Sequence, residues 1–575
     1  MLRLFRFLKP YRFMIAGVLV LVFVQTLGDL YLPTLNADII DKGVMLGDTK
    51  KILQTGGIML IAVFISVTCA VIASYLSSRS AAGFGKIVRS KIFQKVESFS
   101  LHEFDKLGTS TLITRTTNDI TQIQMVLVII MRMMIAAPLM AIGGTILALS
   151  KDKPLTLVLA VAIPLLAVFV TLVALKVIPL FKLIQQKVDK VNLVLREKLS
   201  GVRVIRAFGT EAQEIKRFEK VNDDLTETFI KANRIMAFMM PAITLIMSLT
   251  QISIIWFGGI RIGNGDMQLG ALSAFTQYAM QIMMSFLMMT MMFVMIPRAR
   301  AAAVRVNEVL DTKLSIFDPP ESNECFLTKG YLEFRKVTFS YHGAEEPAIR
   351  DISFKACPGE VTAIIGSTGS GKSTLANLIP RFYDVDEGEI LIDGVDIRQM
   401  SQECLRNMIG LVPQKPVLFS GSIKDNIRVG KENADDEAIR KAAETAQASE
   451  FIEKMEGTYD YHIEQGGANL SGGQKQRLSI ARALVRELEI YVFDDSFSAL
   501  DFKTDARLRS ALRKEIKEAT VIIVAQRVGT VMNADRIIVL EQGKVAGMGK
   551  HKDLINECEV YRQIVESQLA GEETA

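Results

Sequence analysis

The 575 residues are half hydrophobic, with a mean hydropathy of +0.28, so the chain is too long for one ordinary domain and too apolar for a typical soluble enzyme. Its 67 basic and 62 acidic residues nearly cancel to a net charge of +5, which argues against a nucleic-acid partner. Five scattered cysteines (Cys69, Cys325, Cys357, Cys404, Cys558) and only four histidines indicate neither a disulfide framework nor a zinc site.

The N-terminus places Arg3, Arg6, Lys9 and Arg12 ahead of an apolar run that reaches Leu32, too long for the core of a signal peptide. Six apolar segments of spanning length follow one another at 13–32, 57–77, 126–149, 155–177, 239–260 and 271–296, and none occurs after residue 300. Long basic connections separate the second from the third and the fourth from the fifth. The first carries Arg79, Lys86, Arg89, Lys91, Lys95 and Arg115; the second carries Lys182, Lys187, Lys190, Arg196, Lys198, Arg203 and Arg206. The alternate connections are short. Positive charge accumulates on the cytoplasmic side, so the N-terminus and both long connections are expected there, in a multi-pass protein of the cell membrane. Val191, Leu195, Leu199 and Val202 keep a helical spacing, which predicts helices that continue well beyond the bilayer.

Residues 311–330 turn polar and include Pro319 and Pro320, a linker between a membrane domain at 1–310 and a domain at 331–575. In the latter, β-branched runs alternate with helical patterns, which predicts an α/β fold with a largely parallel sheet. Its strand VTAII runs into Gly366, Ser367, Thr368, Gly369, Ser370, Gly371, Lys372, Ser373 and Thr374, a phosphate-binding loop between strand and helix. The loop amides are expected to turn toward phosphates, Lys372 to reach the β and γ phosphates of ATP, and the Ser373 hydroxyl to meet Mg²⁺. A second apolar strand ends at Asp494, the position of a magnesium carboxylate in nucleotide-hydrolysing proteins with such a loop. Between the two, Leu470 precedes Ser471, Gly472, Gly473 and Gln474. Read alone, this stretch is either a helix cap or a second phosphate-binding surface.

The segment LSGGQKQR, in its order between phosphate loop and Asp494, resembles the signature of the ATP-binding cassette (ABC) family, and the resemblance extends over essentially the whole chain. The fold it implies is an α-helical membrane domain of six spans fused to an α/β nucleotide-binding domain. The resemblance also implies that Tyr341 stacks on adenine, that Gln414 contacts Mg²⁺ and senses the membrane domain, and that the segment ending at Asp501 crosses between cassettes. Segments 112–119 and 208–214 resemble the two coupling helices of this family.

Three departures stand out. Asp495 occupies the position of the family's general-base Glu, drawing the carboxylate back by about 1.5 Å, one C–C bond. Gln526 replaces the switch His and cannot carry an imidazolium charge. The sequence EQGG stands where the family has a GERG-like segment. In this family each site joins one chain's phosphate loop to the other chain's signature. The resemblance therefore implies a second half-transporter, a different chain, as partner. Lys372, Asp494, Asp495, Gln414 and Gln526 would form a slow site, and Ser471 to Gln474 would complete the partner's competent one. A homodimer with two slow sites, or an ATP-gated channel, is the alternative.

The expected cargo is a hydrophobic or amphipathic compound, drug or lipid. Met280, Met283, Met284, Met288, Met291, Met292 and Met295 make a stripe in the sixth span that reads either as packing or as an adaptable substrate wall. Gln251, Gln277, Gln281 and Trp256 could join the same cavity. Asp29 in the first span is either functional or close to the outer interface.

Overall fold

The computed structural model describes residues 2–319 and 329–572, so the middle of the expected linker lies outside the described residues. The chain forms two compact units, one of Met1–Glu97 with Ser110–Asp311 and one of Ser98–Thr109 with Thr312–Ala575.

The helices before the α/β region are α1 (Arg12–Ile39), α2 (Thr49–Glu97), α3 (Leu101–Leu107), α4 (Thr109–Thr116), α5 (Asn118–Lys151), α6 (Thr156–Ser200), α7 (Val202–Phe208), α8 (Glu211–Gly263) and α9 (Leu269–Asp311). Six stretches among the described residues are long and apolar enough to cross a membrane. The 49 residues of α2 rise about 70 Å at 1.5 Å each, more than twice a hydrocarbon core of about 30 Å, as the periodicity beyond the spans predicts.

Within the first unit, α1, α2, α5 and α9 pack together, while α6 packs chiefly on α8. Phe275, Tyr278 and Ile282 on α9 form a core with Leu30 of α1, Leu159 of α6 and Ile254 of α8. The Tyr278 hydroxyl donates to the Leu30 carbonyl at 3.1 Å and lies 2.6 Å from the Thr34 hydroxyl, so its polar end is satisfied inside the helix contact. The methionine stripe divides. Met283 is buried with Leu166 and Ile243, whereas Met280, Met284 and Met295 are exposed and the Met291 side chain lies outside the described residues. Trp256 is 69 % exposed on α8.

The short connection between α5 and α6 is fastened by Asp152. One carboxylate oxygen accepts the Leu155 amide at 2.8 Å, and the other accepts Nε of Arg261 at 2.7 Å from the end of α8.

The expected coupling segment at 112–119 requires correction. It lies in α4 and the start of α5 within the first unit, where Leu112, Arg115 and Asp119 are buried. Asp119 accepts Nε of Arg305 at 2.8 Å, and Arg115 pairs with Glu308 at 2.9 Å, so its charged groups are spent on α9. The stretch that belongs to the α/β unit is the preceding one, 98–109. Ser100 and Glu103 form a capping box that starts α3, and Glu103 also accepts the Ser315 amide at 2.9 Å. Residues 208–214 end α7 and begin α8 across Gly209, with Phe208 78 % exposed.

The α/β unit contains β1 (Leu332–Phe339), β2 (Ile349–Ala356), β3 (Val361–Gly366), α10 (Lys372–Leu378), β4 (Glu387–Ile392), β5 (Val395–Asp396), α11 (Gln402–Asn407), β6 (Ile409–Val412), β7 (Gly421–Ser422), α12 (Ile423–Arg428), α13 (Asp436–Thr445), α14 (Ser449–Ile452), β8 (His462–Ile463), α15 (Gly472–Leu484), β9 (Ile490–Asp494), α16 (Phe502–Glu515), β10 (Thr520–Val524), α17 (Val528–Val531), β11 (Arg536–Glu541), β12 (Lys544–Gly549), α18 (His551–Glu557) and α19 (Glu559–Glu572). Six strands run in the order β12-β11-β3-β10-β9-β6, parallel except for β12. A separate antiparallel sheet, β2-β1-β4-β5, was not expected from the alternating pattern. Phe334, Ile352 and Ile390 from this sheet share a core with Ile364, Val492 and Ile522 from the larger one. Cys69, Cys357 and Cys558 are free.

Replacing Asp152 by Ala would leave the Arg261 charge and the Leu155 amide without their acceptor. A loss of about 2 kcal/mol is expected, of the size of a charge-assisted hydrogen bond, read as a lower thermal midpoint of the purified protein. An unchanged midpoint would show that this fastening contributes nothing.

Candidate nucleotide site

The larger sheet positions the site at the ends of β3, β9 and β10. β3 delivers Gly366 at its last residue, and the loop 366–371 turns the chain into α10. Gly371 has φ +95°, and a Cβ there would lie 2.6 Å from Ile349 and 2.9 Å from the Ala348 carbonyl, so only glycine fits. Ser367, Thr368 and Gly369 are exposed, whereas Ser370 is buried with its hydroxyl oxygen unpartnered. A cradle closed to Cβ atoms and containing an orphaned buried hydroxyl fits a bound phosphate.

Lys372 is buried, and its ammonium donates to the carbonyls of Gly366 at 2.9 Å and Ser367 at 2.8 Å. One of its three donors is left over. Burial lowers its pKa, opposed by the nearby charges of Asp495 and Asp494. The Ser373 hydroxyl donates to Asp494 Oδ1 at 3.1 Å, placing two hard oxygen ligands side by side as Mg²⁺ requires. Burial raises the Asp494 carboxyl above its ordinary value, the Ser373 hydrogen bond opposes this, and the Asp495 charge adds to it. A cation at these oxygens would relieve that burial cost.

Asp495 follows β9 with φ +47° and donates its amide to the Val524 carbonyl at 2.9 Å. Its Oδ2 accepts two amides, from Gln414 at 3.2 Å and from Gln526 at 3.1 Å. The three residues singled out as catalytic candidates therefore meet on one oxygen atom. Tyr341 lies beside the loop, its hydroxyl 3.1 Å from that of Thr374, with its ring edge-on to Phe339 and to Tyr383 at 5.0 and 5.5 Å.

The signature is not joined to this cluster. Ser471 caps α15 in a capping box, accepting the Gln474 amide at 3.3 Å while its own amide donates to Gln474 Oε1 at 2.8 Å. Ser471 and Gly472 are exposed, and among the described residues no hydrogen bond links 471–474 to the phosphate loop. Asp501 caps α16 by accepting the Thr504 amide at 2.9 Å.

Sequence reasoning missed two contributors. Gln568 of α19 donates to the Gln526 carbonyl at 2.8 Å and accepts the Val528 amide at 2.8 Å, clasping the loop that presents Gln526. Tyr383 donates to Asp105 at 3.1 Å, so the aromatic cluster around Tyr341 reaches the segment 98–109. No motif spacing connects either pair, which are 42 and 278 residues apart.

Comparison with known proteins agrees with this architecture. Residues 14–286 match the family model of the ABC transporter transmembrane region, and residues 349–498 match the ABC transporter model. The chain is 43 % identical to an uncharacterized ABC transporter ATP-binding protein of Mycobacterium tuberculosis, over 98 % of this chain and 97 % of that protein. It is 34 % identical to an ATP-dependent lipid A-core flippase of Desulfotalea psychrophila over 90 % of each. A solved bacterial Atm1-family ABC exporter with ATP bound has the same fold, with a TM-score of 0.80 at 24 % identity over 97 % of this chain and 98 % of that one. The chain belongs to the ABC transporter family, with its transmembrane region fused to its ATP-binding domain. It is a multi-pass membrane ATPase that couples ATP hydrolysis to transport.

Replacing Gln568 by Leu keeps most of the side-chain volume and removes both clasping hydrogen bonds. At about 1 kcal/mol for each bond, amide exchange at 526–531 should quicken by roughly tenfold or more. Exchange at unchanged rates would refute the clasp.

Proposed function

We propose that this chain is the slow-site half of a heterodimeric exporter of hydrophobic or amphipathic compounds. Its own Lys372, Ser373 and Asp494 hold Mg²⁺ and ATP, and its Ser471 to Gln474 complete the hydrolytic site of a different partner chain. Tyr341 stacks on the adenine. In this reading the linker spans 311–330 between a membrane domain at 1–310 and a nucleotide-binding domain at 331–575. The N-terminus and the latter domain are cytoplasmic, on the strength of the basic connections.

The observation that carries the reading is the saturation of Asp495 Oδ2 by the amides of Gln414 and Gln526. A general base must reach a water oxygen at about 2.6–3.2 Å. Asp495 is one methylene shorter than Glu, and one of its two oxygens is already engaged by two N–H donors. Only Oδ1 remains for water. Gln526, lacking an ionisable ring, offers a fixed donor where an imidazolium would follow the charge on the transferred phosphoryl group. The site's remaining parts bind and orient, so it favours retention over turnover.

Two further features support pairing with a second half. Ser471 and Gly472 of the signature are exposed, and among the described residues no hydrogen bond joins 471–474 to this chain's phosphate loop. On α6 and α8, Leu172, Leu175, Leu245, Ile252 and Trp256 are each more than half exposed, leaving apolar surface for lipid or another subunit. The lipid A-core flippase relative favours an amphipathic cargo.

In the paired complex, Ser471→Ala should reduce ATPase activity by at least tenfold, whereas Asp495→Asn should change it by less than about threefold, because a true general base contributes about 10² to 10⁴. Equal collapse in both variants would place chemistry at Asp495. If this chain alone assembles into a dimer with full transport activity, the different-partner reading fails. Lys372→Ala should lower nucleotide trapped at this site by about tenfold, the equivalent of about 1.4 kcal/mol, and undiminished occupancy would contradict a holding role.

A further inference from the structure

The last helix, α19, is held by its apolar side. Tyr561 is fully buried, with its hydroxyl 2.7 Å from Nδ1 of His551, and Ile564 and Val565 pack beside it in the core that also takes Val531 of α17. Positions 561, 564, 565 and 568 fall on one face of a helix. Gln568 therefore ends an apolar stripe that Leu or Ile would prolong. It is half-buried, and both ends of its amide are engaged: Oε1 accepts the Val528 amide at 2.8 Å, and Nε2 donates to the Gln526 carbonyl at 2.8 Å.

The loop it reaches has little of its own to fix it. α17 is a single turn, and its N-cap Arg527 makes no side-chain capping bond, so the Val528 amide relies on a residue 40 positions away. On the other side, the Ala525 amide donates to the Ile364 carbonyl at 3.0 Å, just past the end of β10. Between these anchors stands Gln526, which is exposed and holds its amide 3.1 Å from Asp495 Oδ2. Ordering a long, exposed side chain costs entropy, and a fixed backbone beneath it reduces the alternatives open to it. A second clasp grips the far end of α17. Arg509 of α16, paired with Asp505 at 3.0 and 2.9 Å, donates to the Gly529 carbonyl at 2.9 Å, and none of its hydrogen bonds among the described residues reaches 526.

The charge of Asp495 acts on both Lys372 and Asp494, so it lies within the field of the phosphate loop. The amides of Gln414 and Gln526 draw on that charge at Oδ2. If Gln526 leaves, a less satisfied carboxylate oxygen faces a site shaped for an anionic phosphate chain, and like charges repel.

We propose that Gln568 is a positioning residue of the nucleotide site: the C-terminal helix fixes the backbone of Gln526 so that the Gln526 amide stays on Asp495, and nucleotide affinity depends on that hold. Gln568 acts through Gln526, since its own two hydrogen bonds end on the loop backbone. The inference needs only that the site binds ATP, whichever chain completes it.

The test uses the full-length protein in nanodiscs, with Mg²⁺ and the non-hydrolysable analogue AMP-PNP as probe, and reads the equilibrium Kd alongside amide exchange. Gln568→Leu and Gln526→Ala should each raise the Kd about fivefold, the effect of one modest hydrogen bond. The double variant should match either single variant to within about twofold, because a residue that acts through Gln526 then has nothing left to position. Gln568→Glu keeps an acceptor for the Val528 amide but loses the donor to the Gln526 carbonyl, so exchange at Val528 should stay slow while the Kd still rises about threefold. Arg509→Met frees the other end of α17 and should quicken exchange at 529–531 while leaving the Kd within about twofold. Single effects that multiply in the double variant, an unchanged Kd in Gln568→Leu or in Gln526→Ala, or a loss in Arg509→Met equal to that in Gln568→Leu would each overturn the proposal and leave Gln568 a purely structural tie. Should Gln568→Leu fail to fold, Gln568→Glu decides, and an unchanged Kd in that variant would overturn the proposal equally.

Discussion

A backbone that enters hydrocarbon has no water to satisfy its N–H and C=O groups, and this one constraint shapes most of the first unit. It forces the chain into long uninterrupted helices, because a helix meets its own hydrogen-bonding needs. It also sends polar side chains to the helix contacts. Tyr278 finds Leu30 and Thr34, Thr250 returns its hydroxyl to the Ile246 carbonyl, and Asp152 gathers Arg261 and the Leu155 amide at the end of the spans. Where a polar group in this unit lacks such a partner, as at Gln281 Oε1, the exception is informative because the rule is so strong.

The α/β unit obeys a different economy. Its central strands are buried on both faces, so their ends are the places where polar groups can emerge against a rigid floor. β3 ends in the phosphate loop, β9 in Asp494 and Asp495, and β10 just before Gln526. Parallel pairing of β10 with both β3 and β9 brings residues more than a hundred positions apart to within hydrogen-bond reach. The segment 98–109 is borrowed from the connection between two spans and joins this unit through Glu103 and Asp105. The element that answers to the nucleotide unit is therefore encoded in the middle of the membrane region. Burial raises the Tyr383 hydroxyl pKa, and the neighbouring Asp105 charge reinforces it, so the hydroxyl stays a donor in that contact at any physiological pH.

What depends on local pattern was legible in the residues alone. Hydropathy runs placed six spans, because about twenty apolar residues are needed to cross hydrocarbon whatever the neighbours are. The phosphate loop, the signature and the carboxylate at Asp494 were legible because each is a short motif whose chemistry needs those residue types at that spacing. The replacements at Asp495 and Gln526 were legible for the same reason. Which distant groups share an atom or a helix contact depended on the folded chain. The convergence of Gln414 and Gln526 on Asp495 Oδ2, the clasp by Gln568 and the pairing of Asp119 with Arg305 all join residues whose separation carries no periodic signal. That pairing holds 112–119, the expected coupling segment, inside the membrane unit, and the sequence did not reveal it because charged side chains on a helical turn look the same whether they face solvent or a neighbouring helix. The antiparallel sheet escaped for a related reason. Short strands with alternating exposure read alike in either pairing direction, and long-range contacts between chain segments select one.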